Sequence, residues 1–198
     1  MQPLTAHTGR AMPLRRSDVD TDQIIPSDWL KRVERTGFGA GLFAEWREDP
    51  GFVLNDPRYA GATVLVAGAN FGTGSSREHA VWALEDYGFR VVISPRFADI
   101  FRNNCTKVGL LPVELPADVV DRLFDAVERD PATEITADVA DRRLRCPAAG
   151  TDVEFALDDF TRMRLLGGLD DVGLTLQHEA DITAYEGTRP VWRPTALA

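Results

Sequence analysis

One loop in the sequence combines residue types that bind and activate small anionic substrates. Residues 70–79 read NFGTGSSREH, between a continuous apolar run at 62–67 and a helical pattern. In open α/β sheets, ligands bind at the carboxyl ends of strands, and a helix start offers unpaired N–H groups and a positive dipole end. Gly72 and Gly74 would let the backbone approach a ligand, and Arg77 would bind a carboxylate through two parallel hydrogen bonds. The loop is therefore a candidate anion site.

The same loop also fits a purely structural interpretation. Ser75 and Glu78 have the S-x-x-E spacing of a capping box, which stabilises a helix start by about 1 kcal/mol and needs no ligand. Nucleotide-binding loops fit less well, because no Lys follows the last glycine and Arg77 stands where the third glycine of GxGxxG belongs. The GxSxG motif of serine hydrolases is absent too. An anion site and a simple helix cap both stay open.

A second polar cluster lies near the N-terminus, where residues 18–23 read DVDTDQ. The spacing resembles a calcium loop, but Gln23 replaces the required glycine and Trp29 stands where the bidentate glutamate belongs. The pattern therefore argues against calcium. The cluster is either a solvated acidic turn or part of a site, and the residues alone leave both interpretations open.

Metal and disulfide chemistry find few ligands in this sequence. Cys105 and Cys146 are its two cysteines and lack CxxC spacing, so a reducing cytoplasm fits better than a disulfide framework. Two thiolates are too few for a self-contained iron–sulfur site, which usually takes four. The three histidines, at positions 7, 79 and 178, do not have the spacing of a metal cluster. We expect no metal or cofactor bound by this chain and expect Cys105 to be a small buried hydrophobe.

Composition and charge limit the class of protein. The 198 residues are 44% hydrophobic and 27% charged, which is typical of one soluble globular domain. The net charge of −9 argues against nucleic acid or an anionic membrane as the main partner. No apolar run approaches the ~20 residues that cross a bilayer, and residues 1–7 do not resemble a signal peptide. We expect a cytoplasmic protein.

Alternating strand and helix patterns predict an α/β fold with a parallel core sheet. Residues 1–60 look irregular, and the regular part begins with the apolar run at 62–67. We expect one domain over residues 1–198, with a helical C-terminal extension over about 158–198. The predicted strands are 62–67, 91–93, 110–113, 133–137, 142–146 and 153–156, and the predicted helices are 76–87, 97–104, one that starts at Pro116, 160–166 and 179–186.

Four blocks of the sequence resemble a known family, the small subunits of 3-isopropylmalate dehydratase in the aconitase superfamily. The blocks are DVDTDQIIP at 18–26, NFGTGSSREHA at 70–80, the segment 96–112 and GLDDVGLTL at 168–176. They follow the family order and span nearly the whole chain. GSSRE marks the superfamily, and GLDDVGLT indicates the isopropylmalate branch more narrowly. The resemblance implies a three-layer β/β/α swivelling domain.

The resemblance also implies a reaction and a partner. The family isomerises 2-isopropylmalate to 3-isopropylmalate in leucine biosynthesis, by removing water and adding it back. The implied partner is a large subunit that holds a [4Fe–4S] cluster, with the active site between the two chains. This chain would then be part of a hydro-lyase that is active only with the large subunit.

The matched motifs imply roles for single residues. By resemblance Ser75 is the catalytic base, and the loop N–H groups and helix dipole would stabilise its alkoxide. Ser76 and Arg77 match the residues that bind substrate carboxylates. Asp22 matches an active-site aspartate that orients groups across the interface.

The resemblance also implies where the substrate side chain is selected. Arg32 matches a substrate-binding arginine, and the segment 30–43 matches the specificity loop. Apolar contacts with an isopropyl group would come from three residues of that segment, Leu30, Val33 and Phe38.

Two departures from the family pattern keep other functions open. Thr73 stands where many small subunits have cysteine, and Val81 stands where proline is usual. Neither position holds a proposed catalytic group, so the departures bear on the branch more than on the chemistry. The alternatives are a related hydro-lyase acting on methylmalate or homoaconitate, a non-enzymatic anion-binding domain, and a serine hydrolase.

Overall fold

In the computed structural model, which describes residues 1–31, 36–190 and 192, seven strands form one sheet. Their spatial order is β4-β3-β2-β1-β5-β6-β7. The three pairs from β4 to β1 are parallel and the three from β1 to β7 are antiparallel. The predicted α/β class with a parallel core is confirmed. The strands are β1 (Ala6–Leu14), β2 (Val64–Ala67), β3 (Val91–Ser94), β4 (Leu111–Glu114), β5 (Glu134–Asp138), β6 (Arg143–Cys146) and β7 (Thr151–Glu154).

The longest strand, β1, joins the two halves of the sheet. Its second half pairs in parallel with β2, from Ala11 opposite Val64 onward, and its first half pairs antiparallel with β5. The prediction that residues 1–60 are irregular is wrong here. The strand contains Gly9 and Pro13, two residue types that usually indicate an edge or a break.

Seven α-helices in the described residues connect and cover these strands. Every residue of β2 and β3 is buried, which explains why both appear in the sequence as short continuous apolar runs. The helices predicted after β2, β3 and β4 are all present, within a few residues of their expected ends. The helices are α1 (Thr21–Ile24), α2 (Glu78–Tyr87), α3 (Asp99–Val108), α4 (Ala117–Arg129), α5 (Asp159–Gly167), α6 (Asp171–Leu176) and α7 (Glu179–Gly187).

The antiparallel half contains the three short strands that the sequence predicts after α4. Buried and partly exposed residues alternate along β5 and β6, as expected for strands with one covered face. Ile135 and Leu144 are fully buried and extend the core into this half. Between β1 and β2 the described residues, 15–31 and 36–63, are irregular as predicted, apart from α1 and five short 3₁₀ helices.

In the described part of the C-terminal segment the predicted helices at 160–166 and 179–186 are present as α5 and α7, and helix α6 lies between them without having been predicted. Asp170 begins α6 by accepting a hydrogen bond from the Gly173 N–H at 2.6 Å. Asp171 accepts one from the buried Arg164 of α5 at 2.8 Å, which attaches the block at 168–176 to the rest of the fold. Neither α6 nor α7 contains a buried residue. No helix within the described residues is long and apolar enough to cross a bilayer.

Candidate active site

The loop that follows β2, residues 68–77 and here called the serine loop, is held between two other segments. On one side the Gly72 N–H donates to the Val19 carbonyl at 2.8 Å. On the other side the Phe71 N–H donates to the Arg96 carbonyl at 3.1 Å, and the Ala98 N–H returns a bond to Phe71 at 3.0 Å. The loop is therefore fixed by the chain before α1 and by the chain before α3.

Gly72 is required by the packing of the loop. Its φ is +79°, a backbone conformation that side chains other than glycine rarely adopt. A Cβ atom at this position would lie 2.1 Å from Cγ of Phe101, which is far inside the van der Waals distance. The backbone therefore lies directly against the Phe101 ring of α3. The glycine that the sequence suggested for a close ligand approach serves here to pack the loop on a helix.

The helix start differs from the capping box considered in the sequence. Helix α2 begins at Glu78, and Arg77 occupies the N-cap position with extended backbone and no side-chain capping bond. Ser75 therefore lies two residues upstream of the cap position and does not cap the helix. Ser75 and Ser76 are exposed, and neither hydroxyl has a hydrogen-bond partner among the described residues. Both hydroxyls can therefore reach a ligand.

Asp22 and Arg77 meet across the site. Nη1 of Arg77 donates a short hydrogen bond to Oδ1 of Asp22, although the two residues are 55 positions apart. The Arg77 side chain is 17% exposed and the Asp22 side chain is 57% exposed. Because a guanidinium has five N–H donors, Arg77 keeps donors available for a substrate carboxylate. The structure thus brings together Ser75, Ser76, Arg77 and Asp22, the four residues that the motifs single out.

Ser75, Ser76 and Arg77 border a cavity of about 240 Å³ between the serine loop and the start of α3, and Asp22 reaches it through Arg77. Ile100 lies at this cavity and is 54% exposed, so one wall is apolar and open to solvent. A larger cavity of about 1020 Å³ lies elsewhere, between α3 and the chain before α5. Its lining includes Asp99 and Arg102 but neither Ser75 nor Ser76. The larger cavity therefore lacks the residues that the motifs single out, and its size alone does not make it the candidate site. The residues that line the smaller cavity are Thr21, Gly72, Gly74, Ser75, Ser76, Arg77, Ala98, Asp99, Ile100 and Phe101.

The proposed specificity residues lie in different surroundings. Phe38 is 1% exposed and packs edge-on against His79 at 5.3 Å between ring centroids. Leu30 is partly buried against the core, in the 3₁₀ helix Ser27–Lys31. Arg32 and Val33 lie outside the described residues. The role of this segment in substrate selection stays a prediction.

The thiols of this chain do not fit an iron–sulfur cluster. Cys105 and Cys146 are both buried, and burial raises the pKa of each thiol above its usual value. A cluster ligand is a thiolate, which such burial disfavours. In residues 1–31, 36–190 and 192, no group of three or more His, Cys, Asp or Glu side chains is placed to hold a metal ion.

Sequence reasoning missed the part played by α1. Asp20 caps this helix by accepting from the Gln23 N–H at 2.8 Å, and the Gln23 side chain accepts from the Asp20 N–H at 2.9 Å. The three-residue spacing of Asp20 and Gln23 could have indicated this reciprocal cap. The hydroxyl of Thr21 donates to the carbonyl of Ser75 at 2.8 Å, a contact across 54 positions that no local pattern indicates. The acidic cluster at 18–23 therefore packs against the serine loop and belongs to the candidate site.

Two protein-family models match the chain. The aconitase C-terminal domain matches residues 1–118, which include α1, the serine loop and α3. The C-terminal domain of the 3-isopropylmalate dehydratase small subunit matches residues 171–198. The fold and the serine loop therefore define a domain of the aconitase C-terminal class.

Comparison with individual proteins identifies the family within this class. A 3-isopropylmalate dehydratase small subunit from Parafrankia sp. (strain EAN1pec) is 70% identical over 195 residues, which are 98% of this chain and 99% of that protein. Another from Acidothermus cellulolyticus is 65% identical over 198 residues, which are 100% of both chains. A crystal structure of 3-isopropylmalate dehydratase from Methanocaldococcus jannaschii matches 91% of this chain and 99% of its own, with a TM-score of 0.69 and 26% identity. The chain belongs to the family of 3-isopropylmalate dehydratase small subunits, as its four sequence blocks indicated.

The contact between Gly72 and Phe101 predicts the effect of a single methyl group. Gly72→Ala should lower the free energy of unfolding by roughly 1–3 kcal/mol through overpacking. A further cost of about 1–2 kcal/mol comes from its positive φ. Gly150→Ala is the matched control, because Gly150 has a φ of +58° and an added Cβ there would meet nothing within 4 Å. Urea unfolding of both variants measures the difference, and equal losses would contradict the packing argument.

Proposed function

We propose that this chain supplies the proton-transfer and carboxylate-binding half of a two-chain active site that converts 2-isopropylmalate to 3-isopropylmalate. The family of the chain is a hydro-lyase family of leucine biosynthesis. The observation that carries the proposal is the exposed Ser75 hydroxyl, which lacks a partner among the described residues and lies beside Arg77 at the start of α2.

Ser75 is assigned the proton transfer. The reaction moves a proton and a hydroxyl group between adjacent carbons, so a base must take a proton from carbon and a conjugate acid must return it. A serine hydroxyl is a weak base, and its alkoxide needs nearby positive charge. Helix α2 begins at Glu78, three residues after Ser75, and its first N–H groups and its dipole would favour negative charge at this end.

Arg77 and Ser76 are assigned the substrate carboxylates. Arg77 is mostly covered, and a partly desolvated guanidinium binds a carboxylate more strongly than one surrounded by water. Asp22 holds one Nη atom of Arg77 and so fixes the direction in which its other donors point. Ser76 adds a hydroxyl donor at the same cavity. Asp22 is therefore assigned the role of orienting Arg77, and Arg77 is assigned the role of binding a substrate carboxylate, here called the carboxylate clamp.

The partner and the cofactor belong to the same proposal. The relatives are described as small subunits, which implies a large-subunit partner. Because the thiols of this chain do not fit a cluster, the expected [4Fe–4S] cluster is assigned to the large subunit. When bound there, it would supply the Lewis acid that accepts the leaving hydroxyl group. Arg32 is proposed to bind the substrate, and Leu30 and Val33 are proposed to contact its side chain, with the buried Phe38 supporting this specificity segment by packing against His79. The enzyme is proposed to work in the cytoplasm.

Reconstitution tests the proposed function directly. We expect 3-isopropylmalate to form from 2-isopropylmalate only when this chain is mixed with a cluster-loaded large subunit, under anaerobic conditions. Each chain alone is the control. Methylmalate and homoaconitate are assayed beside it, because a preference for either would shift the assignment to a related hydro-lyase. No turnover of any of the three acids, with both chains folded and the cluster intact, would overturn the proposal and favour an anion-binding domain.

Replacing the proposed base separates its role from that of its neighbour. Ser75→Ala in the assembled enzyme should lower kcat by roughly 10²–10⁴-fold, the usual contribution of a positioned acid or base. Ser76→Ala should act mainly on KM, because it removes a binding hydroxyl and leaves the base. Steady-state kinetics on both complexes measures the contrast. A Ser75→Ala enzyme with nearly wild-type kcat would remove Ser75 from the chemistry.

If Arg77 binds a substrate carboxylate through two hydrogen bonds, a positive charge alone at this position should not be sufficient for full activity. Arg77→Lys should lower kcat/KM by roughly 10–100-fold, because lysine is a point charge and loses a charge-assisted hydrogen bond worth about 1.5–3 kcal/mol. Arg122→Lys is the control, since Arg122 forms an ordinary surface pair with Asp118 at 2.9 Å. Its kinetics should stay unchanged. If both variants keep the wild-type kcat/KM, Arg77 does not bind a carboxylate in two-point fashion.

A further inference from the structure

Helix α1 is short and is held firmly against the serine loop. It has four residues, and the reciprocal Asp20–Gln23 cap satisfies backbone and side chain at its start. Residue 20 also forms a parallel bridge with Thr73 of the serine loop. The helix therefore cannot move without disturbing the loop.

Thr21 contacts the serine loop on both sides of Gly74. Its N–H donates to the Thr73 carbonyl at 2.9 Å, and its hydroxyl donates to the Ser75 carbonyl at 2.8 Å. Gly74 has a φ of +88°, which side chains other than glycine rarely adopt, whereas a Cβ there would make only an ordinary contact, 3.5 Å from the Thr21 hydroxyl oxygen. Thr21 itself is 2% exposed. The two bonds together fix the Thr73–Gly74 and Ser75–Ser76 peptide groups.

We propose that Thr21 is a positioning residue that sets the orientation of Ser75 through the hydrogen bond from its hydroxyl to the Ser75 carbonyl. This inference rests on the proposed function, because it concerns the residue assigned as the base. Ser75 is exposed and lies outside any helix or strand, so its own packing does little to fix it. The Thr21 hydroxyl bond is therefore what holds its peptide group in place.

Arg77 has its own anchor, which makes the two roles separable. The pair with Asp22 holds Arg77 independently of the Ser75 carbonyl. Loss of the Thr21 hydroxyl should therefore displace the base more than the carboxylate clamp. The expected kinetic signature is a fall in kcat with little change in KM.

The test is Thr21→Val in the assembled two-subunit enzyme. Valine keeps the shape and removes the hydroxyl. Because a displacement of about 1 Å can cost on the order of 10²-fold in rate, we expect kcat to fall by about 10–100-fold. KM should stay within about threefold of wild type, as expected when only transition-state stabilisation is lost. Thr21→Ser restores the donor and should bring kcat back to within about threefold of the wild type, as one lost hydrogen bond is regained.

Thr133→Val is the matched control. Thr133 is also buried, and its hydroxyl donates to the Ala126 carbonyl at 3.2 Å, far along the chain from the serine loop. It should lose stability without losing kcat. A wild-type kcat in Thr21→Val, an equal kcat loss in Thr133→Val, or no recovery in Thr21→Ser would each overturn the role of Thr21.

The Gln23→Ala variant and the activity of the wild-type complex provide two further tests. If Thr21→Val fails to assemble, Gln23→Ala loosens the cap of α1 without altering Thr21 and should lower kcat while KM holds. An unchanged kcat there counts against the inference. If the wild-type complex turns over none of the three acids, the proposed function itself is wrong. If the wild-type complex is active and Thr21→Val is equally active, only the role of Thr21 is wrong.

Discussion

The backbone of Gly72 lies against the ring of Phe101, and the position of the whole site depends on that contact. It places the serine loop on the start of α3, and the bonds from Phe71 and Ala98 then align the loop with the end of β3. The rings of Phe71 and Phe101 meet edge-on at 5.4 Å between centroids and fill the space beneath. A loop with exposed serines can therefore be rigid, because its buried neighbours hold it.

The site offers hydrogen-bond donors to an anion although the chain as a whole is acidic. The net charge of −9 would repel an anionic substrate, but charges further apart than about 8 Å are largely screened at physiological salt. Inside the cavity a substrate meets the Arg77 guanidinium and two serine hydroxyls, which directly precede the start of α2. Asp22 cancels the formal charge of Arg77 while directing its donors, and Asp99 adds a carboxylate to the cavity lining, so the site has no net positive charge. The site thus relies on short, directed donors rather than on a basic surface.

The sequence predicted those parts of the fold and site that have local patterns. The buried strands β2 and β3 are continuous apolar runs, and the glycines and serines of 70–79 mark the serine loop. It did not predict β1, because Gly9 and Pro13 interrupt the apolar pattern and the strand is stabilised by partners far along the chain. It did not predict the Thr21 hydroxyl bond either, since a threonine in an acidic turn gives no sign of its partner. Spacing alone offered Ser75 as a helix cap, and only the helix boundary at Glu78 excludes that role.

The exposure of Ser75 gives a physical reason for dividing the proposed active site between two chains. A serine alkoxide in contact with water is protonated at once, so the base can work only where water is excluded and fixed donors replace it. In this chain Ser75 is exposed to solvent. Ile100, which lines the same cavity, is an apolar side chain that is 54% exposed. A partner that covers Ile100 would dry the cavity and strengthen the Arg77 interaction in the same step, because both depend on removing solvent. On the proposed function, assembly and activation of the base are then one event. On the same proposal the isolated chain keeps Arg77 and Asp22 paired but leaves Ser75, the proposed base, solvated.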